Sequence, residues 1–201
     1  MSSNLYSIFP TPIYTSSVYF EFNQKHFEVL NSLEKVRNSH NSFSRNTYIL
    51  ELDIFKELKK EIQNHLNQYL VSVHNPKDNI ELKLTQSWIN WTENSESHHE
   101  HAHPNSFVSG VLYVQSNSND KIYFKKEGYS QFQLNPKEYN NFNSDSWWFP
   151  AKESSIIIFP SSVVHSVDTV IGDKTRISLA FNSFLRGFLG EELNSLYELN
   201  L

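Results

Sequence analysis

H-H-E-H-A-H-P-N-S, residues 98–106, places four of the nine histidines of this 201-residue chain within six positions. Side chains two residues apart on a β-strand point to the same side. His101 and His103 would therefore project from one strand face, and His99 shares their parity. Two imidazoles on one face form a bidentate arm for a borderline metal ion such as Fe(II) or Zn(II). Pro104 would end the strand, because proline cannot donate a ladder hydrogen bond.

His165 is the natural third ligand, and it stands in a second β-patterned segment. Gly172 and Asp173 in the middle of that segment predict a hairpin turn. The hairpin would pair the strand of His165 directly with the strand that carries Arg176 and Ser178. Directly paired residues lie on one sheet face, so this register predicts one surface shared by the histidine, the arginine and the serine.

The predicted spacing between His165 and Arg176 suits a small diacid. Four residues separate their levels in this register, which is roughly 13 Å along a strand. An arginine reaching back would span about half of that gap, and a five-carbon diacid on the metal would span the rest. Arg176 offers a bidentate fork for the far carboxylate, and Ser178 adds a hydroxyl. Three protein ligands leave metal positions open for such a cosubstrate and for O2.

Other interpretations of these residues stay open. His98 and Glu100 spell a literal H-x-E, so a register shifted onto this pair is an alternative metal arm. A histidine cluster alone is often only a loop feature, and an R-x-S pattern alone is common on strands. The metal hypothesis depends on the combination, in chain order, of H-x-H, a distal histidine and R-x-S.

Composition excludes several other classes of protein. The chain has no cysteine, so disulfides, iron–sulfur clusters and thiolate zinc sites are ruled out. A net charge of −5 without a basic run gives no nucleic-acid footprint. No apolar run approaches the roughly 20 residues of a membrane span, and no glycine-rich nucleotide motif occurs. We expect a cytoplasmic protein of the producing or host cell that binds neither nucleic acid nor membrane.

Hydrophobic periodicity predicts a single domain over 1–201. Its parts are a helical N-terminal part (1–78), a jelly-roll core (79–184) and a C-terminal helix (190–200). A helix capped by Asn23 is predicted over 24–37, and a second helix, capped by Asp53, is predicted to run to about Val73. An N-terminal edge strand or arm is expected before them. The predicted strands are 80–92, 99–103, 107–115, 121–124, 130–134, 147–149, 155–159, 163–170 and 175–184. The expected fold is mainly β, with the N-terminal helices packed on one sheet. His65 is interpreted as an ordinary surface residue.

Five stretches of the chain resemble a known family. They are I-F-P-T-P-I-Y (8–14), S-W-I-N (87–90), H-A-H-P-N-S-F-V-S-G-V-L-Y-V (101–114), I-I-I-F-P-S (156–161) and H-S-V…R-I-S-L-A-F-N (165–182). Together they resemble the Fe(II)/2-oxoglutarate-dependent dioxygenase superfamily, and most closely a bacterial and phage family of 2OG-Fe(II) oxygenases that is similar to prolyl hydroxylases. The resemblance implies a double-stranded β-helix.

The resemblance also implies roles for individual residues. The three histidines 101, 103 and 165 would hold Fe(II), and Arg176 with Ser178 would grip the distal carboxylate of 2-oxoglutarate. Tyr113 lies where relatives carry a cosubstrate-binding tyrosine, and Asn90 is a further candidate. The implied activity is that of a hydroxylase, which uses O2 and 2-oxoglutarate to hydroxylate an unactivated C–H bond and releases succinate and CO2. The substrate class includes proteins and peptides, and the N-terminal arm suggests a homodimer.

One departure from the superfamily keeps alternatives open. Most members use H-x-D or H-x-E, whereas the second ligand position here is His103, and a neutral ligand leaves the ion more positive. One alternative is a cupin-type metal dioxygenase with three histidines and no 2-oxoglutarate. Another is a non-catalytic phage binding or assembly module. Trp147, Trp148 and Phe149 are expected to line a substrate entrance or to pack over the barrel rim.

Overall fold

The chain folds into a layer of helices and two facing antiparallel sheets, numbered here in chain order. The computed structural model describes residues 3–77, 79–128, 132, 134–190 and 199–201. In spatial order, the larger sheet contains β1 (Tyr14–Ser17), β9 (Ser155–Pro160), β6 (Val108–Gln115), β11 (Arg176–Arg186), β4 (Glu81–Thr92), β3 (Ser42–Ser44) and β2 (Lys35–Arg37). The smaller sheet contains β5 (His98–His101), β10 (His165–Val167), β7 (Lys121–Lys125) and β8 (Ser146–Pro150). The helices are α1 (Gln24–Ser32) and α2 (Lys56–Val73).

Alternation along the central strands gives the larger sheet two different faces. On β9, Ile156 and Ile158 pack into the core shared with the helices, whereas Ile157 and Phe159 pack toward the smaller sheet. Phe159 meets Phe124 of β7 with ring centroids 5.0 Å apart. The two sheets therefore enclose a second apolar core, and the predicted jelly roll with helices on one sheet is confirmed.

α2 covers the outer face of the larger sheet through its periodic apolar stripe. Leu58, Ile62 and Leu66 recur every four residues and are fully buried. The predicted start at Asp53 is a 3₁₀ turn, and no side chain caps the helix. The Asp53 carboxylate pairs instead with Lys56 at 2.7 Å, so the prediction of an aspartate cap was wrong.

The first helix is shorter than the sequence pattern predicts. Asn23 caps it as expected, but α1 ends at Ser32. The next residues form β2, which pairs with β3 and extends the larger sheet. Tertiary strand pairing has here overridden the local helical periodicity.

The predicted hairpin around Gly172 and Asp173 is wrong. β10 lies in the smaller sheet between β5 and β7, whereas β11 lies in the larger sheet between β4 and β6. The segment between them crosses from one sheet to the other, and Val170 is held there by donating its backbone N–H to the Glu96 carbonyl. A turn signal in the sequence does not specify whether its flanking strands pair with each other or diverge.

Two predicted elements fall mainly outside the described residues. Of the strand predicted over 130–134, only residues 132 and 134 are described. Of the helix predicted over 190–200, residues 191–198 lie outside the described residues. β12 (Phe188–Leu189) and β13 (Leu199–Asn200) flank the latter gap and pair with each other as strands. The three-part domain division stays a prediction. Within the described residues, no helix is long and apolar enough to cross a membrane.

His65 does not lie on the surface as predicted. Its side chain is buried beneath the N-terminal strand, where its Nδ1 lies 2.8 Å from the hydroxyl of Tyr14. The imidazole therefore helps to attach the N-terminal arm to α2, a contact that helical periodicity alone does not indicate.

Candidate metal centre

Three histidines converge between the two sheets. His101 at the end of β5 and His165 at the start of β10 are cross-strand partners in the smaller sheet. His103 lies two residues beyond His101, in a segment fixed by a 2.9 Å hydrogen bond from its backbone N–H to the Ser161 carbonyl. One nitrogen of each imidazole lies within 4.8 Å of a nitrogen of the other two. The structure thus brings together the three histidines that the sequence singled out.

We call His101, His103 and His165 the histidine triad, and hydrogen bonds orient each of its imidazoles. His101 Nδ1 lies 2.8 Å from the backbone carbonyl of His99, and His165 Nδ1 lies 3.0 Å from that of Val163. A carbonyl can only accept, so both Nδ1 atoms carry the proton and both Nε2 atoms keep a free lone pair. Metal-binding histidines are commonly fixed by a partner of this kind on the second ring nitrogen.

His103 is oriented by a polar group that the sequence analysis did not identify. Its Nδ1 lies 2.7 Å from Asn182 Oδ1 on β11 and 2.8 Å from the hydroxyl of Ser109 on β6. The Ser109 hydroxyl also donates to Asn182 Oδ1 and contacts Ser161 Oγ at 2.7 Å. Only the tertiary structure reveals this network, because its members are far apart in the chain and no local pattern marks them as partners.

Burial keeps the histidine triad neutral. It lowers the pKa of His165 to about 3 and that of His103 to about 4. Burial also lowers the pKa of His101, although the hydrogen bond to the His99 carbonyl opposes this shift. Neutral imidazoles with free Nε2 lone pairs are the form that binds a divalent metal ion.

The alternative arm made of His98 and Glu100 does not form. β5 has a bulge where it pairs with β10. His101 pairs with His165, and His98 pairs with Val167, so three steps along β5 correspond to only two steps along β10. Glu100 points outward, is half exposed and pairs with Lys125 at 2.5 Å. His98 faces the interior, and its ring stacks on that of His101 with centroids 4.6 Å apart. His99 is exposed, and its ring centroid lies 5.0 Å from that of His101.

A row of three polar side chains forms one wall of the cavity next to the histidine triad. Asn90 of β4 and Tyr113 of β6 both pair with Ser178 of β11, so the three side chains lie side by side on the inner face of the larger sheet. All three are buried, and all three line the cavity together with the histidine triad. The sequence predicted these cosubstrate-binding candidates individually, and the sheet register puts them in one row.

Arg176 is buried at one end of this wall, two residues before Ser178. Its Nη1 forms an ion pair with Asp120 at 3.1 Å and donates to the Asp168 carbonyl at 2.9 Å. Its Nη2 is buried with no hydrogen-bond partner among the described residues, and so is the Tyr113 hydroxyl. Burial raises the pKa of Tyr113, so this hydroxyl keeps its proton at neutral pH. Tyr113 lines the cavity, and Arg176 lies two residues from Ser178, which also lines it. A buried donor without a partner costs free energy, so both groups are candidates to bind a ligand.

Asp120 is a functional candidate that the sequence did not indicate. It is only 4% exposed, and its second carboxylate oxygen accepts the backbone N–H of Asn117 in the turn before β7. By pattern this is an ordinary turn aspartate. The buried ion pair with Arg176 gives the arginine a structural partner that does not depend on any ligand.

The aromatic residues expected at the entrance divide between two sides of the smaller sheet. Trp147 pairs with Phe124, which pairs with His165, so Trp147 continues a row that starts at the histidine triad. Trp148 points outward under the ammonium group of Lys121, 4.3 Å from its ring. Phe149 packs into the core between the sheets. Trp147 is thus the member of this group that lies at the rim on the side of the site.

A wider cleft lies on the other side of the larger sheet, and its lining includes Pro10, Tyr69, Phe107 and Pro160. Among the described residues, the only convergent group of three potential metal ligands is the histidine triad. The candidate site is therefore the narrower cavity between the two sheets, which the histidine triad lines. The triad suits an ion that accepts imidazole nitrogen, such as Fe(II), Ni(II) or Zn(II). The unpartnered donors of Tyr113 and Arg176 suit a carboxylate.

Two facing sheets with an imidazole triad between them define a double-stranded β-helix with a candidate metal site. The sequence pattern of the family described as "Putative 2OG-Fe(II) oxygenase" matches residues 86–182, which include every residue of the site discussed above. The match covers 97 of the 201 residues, so this segment is similar to that family of 2OG-Fe(II) oxygenases. Among curated protein sequences, none matches this chain.

Solved structures of several such enzymes share the fold. A 2OG-Fe(II) oxygenase-family oxidoreductase from Burkholderia pseudomallei gives a TM-score of 0.57 at 12% identity, over 85% of this chain and 83% of that one. HygX from Streptomyces hygroscopicus, crystallised with nickel, 2-oxoglutarate and hygromycin B, gives 0.59 at 12% identity, over 86% and 82%. The non-heme alpha-ketoglutarate-dependent epimerase SnoN from nogalamycin biosynthesis gives 0.57 at 16% identity, over 79% and 69%. These likenesses show a common fold.

Proposed function

We propose that this protein is an Fe(II)- and 2-oxoglutarate-dependent oxygenase that hydroxylates an unactivated C–H bond. Fe(II) would be held by His101, His103 and His165. The distal carboxylate of 2-oxoglutarate would be held by Arg176, with Ser178, Tyr113 and Asn90 as further contacts. The single observation that carries this proposal is the arrangement of the donors. Three imidazoles with free Nε2 lone pairs line a cavity together with Tyr113. The Tyr113 hydroxyl and Arg176 Nη2, near one end of this cavity, are buried donors that have no partner among the described residues.

The residues of the chain contribute binding, orientation and exclusion of water. The acceptors on Nδ1 hold the imidazoles in the tautomer that binds a metal ion. The buried wall of Asn90, Ser178 and Tyr113 orients a diacid along the larger sheet, and Phe159 and Val167 cover its methylene groups. When bound, Fe(II) and 2-oxoglutarate would supply O2 activation coupled to decarboxylation of the 2-oxo acid to succinate and CO2.

An all-neutral set of protein ligands distinguishes this site from the H-x-D pattern of most relatives. His103 stands at the position of the acidic ligand, and Glu100 points away from the centre. The ion would keep its full positive charge, which the two carboxylates of the diacid would then partly offset. We therefore expect metal and 2-oxoglutarate to bind with strong positive cooperativity.

Anaerobic titration of Fe(II) and 2-oxoglutarate tests the function. The wild-type protein is expected to develop a visible charge-transfer band, which weakens in Arg176→Ala. Addition of O2 should then produce succinate. A protein that shows no band and no binding of 2-oxoglutarate contradicts the proposal. Binding without succinate, once a panel of substrates has been supplied, favours the non-catalytic module.

Ni(II) affinity separates the ligand set with His103 from the alternative set with His98 and Glu100. His103→Gln is expected to lose roughly tenfold or more in Ni(II) affinity, because one of three imidazole ligands is removed. Glu100→Gln serves as the matched control and should bind Ni(II) as the wild type does. The opposite ranking would support the arm made of His98 and Glu100.

A cupin-type dioxygenase without 2-oxoglutarate is the second candidate, and one observation favours it. Arg176 already has a buried partner in Asp120, so the arginine does not require a diacid for its charge. Both candidates predict metal binding, and only the oxygenase predicts that 2-oxoglutarate perturbs the metal spectrum. The substrate class of proteins and peptides, the homodimer and the cytoplasmic location stay predictions.

A further inference from the structure

His98 faces the same cavity as the histidine triad but is not part of it. Among the described residues, the nitrogens that converge within 4.8 Å belong to His101, His103 and His165. His98 is therefore a fourth imidazole beside the metal centre. Which of its two ring nitrogens carries the hydrogen decides whether it can bind a metal ion or donate a hydrogen bond.

A chain of hydrogen bonds from the β2–β3 turn fixes that state. The backbone N–H groups of His40 and Asn41 both donate to Asn38 Oδ1, at 2.8 and 2.7 Å. Backbone amides can only donate, so this atom must be the amide oxygen. Asn38 Nδ2 then donates to Asn41 Oδ1 at 2.8 Å. Asn41, which is fully buried, therefore turns its own Nδ2 toward His98 Nδ1 at 3.3 Å.

His98 accepts at Nδ1 and must carry its proton on Nε2 when neutral. This tautomer is opposite to that of His101 and His165, whose Nδ1 atoms face carbonyl oxygens. A ring nitrogen that accepts a hydrogen bond bears no proton, so the contact with Asn41 by itself requires the neutral ring. An Nε2 that bears hydrogen has no lone pair for a metal ion, but it can donate to an oxygen.

The position of His98 puts this donor at the Arg176 end of the cavity. Asn41 Nδ2 also contacts Thr92 Oγ1 at 3.4 Å, and Thr92 is the cross-strand partner of Arg176. His98 also pairs with Val167 in the smaller sheet. The next residue, Asp168, accepts a hydrogen bond from Arg176 through its backbone carbonyl. We propose that His98 is a cosubstrate-binding residue, which donates its Nε2–H to the distal carboxylate of 2-oxoglutarate and does not bind the metal. This inference rests on the proposed function.

The first experiment compares two ligands on the Ni(II)-loaded protein by calorimetry. 2-Oxoglutarate and 2-oxopentanoate have the same chain length and differ in the distal carboxylate. His98→Leu is expected to lower the affinity for 2-oxoglutarate about tenfold, the effect of one hydrogen bond to a charged group, and to leave that for 2-oxopentanoate within about twofold. His98→Gln, which keeps a donor, should retain most of the affinity. His74→Leu, at the end of α2, makes the same change away from the site and should behave as the wild type.

The outcomes separate this inference from the proposed function. No binding of 2-oxoglutarate by the wild type overturns both. Normal binding by the wild type and an unchanged affinity in His98→Leu overturn the role of His98 alone. An equal loss for both ligands, or a loss of Ni(II), assigns His98 to the metal centre or to the fold and also overturns the inference.

A second experiment reads the hydrogen-bond chain without any ligand. Asn38→Asp keeps the oxygen that accepts from the two backbone amides but removes the donor to Asn41. The amide of Asn41 is then expected to turn over, so that its oxygen faces His98 and the ring proton moves from Nε2 to Nδ1. Long-range ¹H–¹⁵N spectra should show this exchange, and 2-oxoglutarate affinity should fall as in His98→Leu. Unchanged ring nitrogens in this variant would contradict the proposed orientation.

Discussion

Asn182 and Arg176 lie on the same face of β11, six residues apart, at opposite ends of the candidate site. Asn182 contacts the metal-ligand candidate His103, whereas Arg176 reaches Asp120 and the carbonyl of Asp168. Ala180 and Ser178 lie between them and line the cavity. Because a strand keeps a fixed rise of about 3.3 Å per residue, one strand sets the distance between the metal end and the carboxylate end.

Asn182→Leu is expected to weaken metal binding. The substitution removes the acceptor for the Nδ1–H of His103, and loss of such a partner typically costs about 10- to 100-fold in metal affinity. Calorimetric titration with Ni(II) measures the effect. Asn182→Asp, which keeps an acceptor at the same place, should retain the affinity. Equal loss in both variants would indicate that the side chain acts through packing alone.

Asp120→Asn is expected to destabilise the ligand-free protein. It leaves the buried guanidinium of Arg176 without its counter-ion, which costs roughly 3–5 kcal/mol for a buried pair. The carboxylate of 2-oxoglutarate would replace that counter-ion, so the ligand should raise the melting temperature more in this variant than in the wild type. Glu153→Gln, which breaks an exposed pair with Lys174, is the control and should shift stability by less than about 1 kcal/mol. A ligand shift no larger than in the wild type would mean that Arg176 does not contact the diacid.

Tyr113→Phe is expected to lower the affinity for 2-oxoglutarate without loss of stability. Its buried hydroxyl has no partner within the described part of the chain, so removing it breaks no internal hydrogen bond. Loss of one contact to a carboxylate should weaken binding by about tenfold. Tyr69→Phe is a matched control, because that hydroxyl is also buried without a partner but belongs to α2. Denaturant unfolding and calorimetry on both variants measure the two effects.

The metal-free protein is expected to lose stability as the pH falls below about 6.5. In the unfolded chain His103 and His165 take up protons near their usual pKa of 6.5, whereas burial holds their folded pKa at about 4 and about 3. The unfolded state therefore binds more protons between about pH 3 and 6.5, and stability rises with pH across this window. Each imidazole contributes up to roughly 1.4 kcal/mol per pH unit. Urea unfolding of wild type and of His165→Phe from pH 4.5 to 7.5 measures the slope, which should be shallower in the variant.

Local patterns predicted the elements well. The stripe of Leu58, Ile62 and Leu66 indicated α2, and alternation indicated β4, β6 and β9 close to their observed bounds. These patterns report which side of an element is buried, a property that each segment carries by itself. The end of α1 could not be found in this way, because it depends on the pairing of β2 with β3.

The sequence analysis predicted correctly that His165 and Ser178 share one site, but it predicted the wrong strand pairing between them. The predicted hairpin would have joined their strands in one sheet. In the structure they lie in opposite sheets and meet because the two inner faces enclose one cavity. Alternation gave the correct inward face for each strand, but it does not identify the neighbouring strand.

The sequence alone determined that imidazoles at 101, 103 and 165 and a guanidinium at 176 are available in β-patterned segments, since residues two apart on a strand share a face. Tertiary structure alone decided what each group contacts. The bulge in β5 turned His98 inward and Glu100 outward, the crossover between the sheets brought β10 opposite β11, and the distant Asn182, Asp120 and Asn41 supplied the hydrogen-bond partners. Those contacts join residues that are many positions apart, and no local pattern constrains which of the available polar groups will meet.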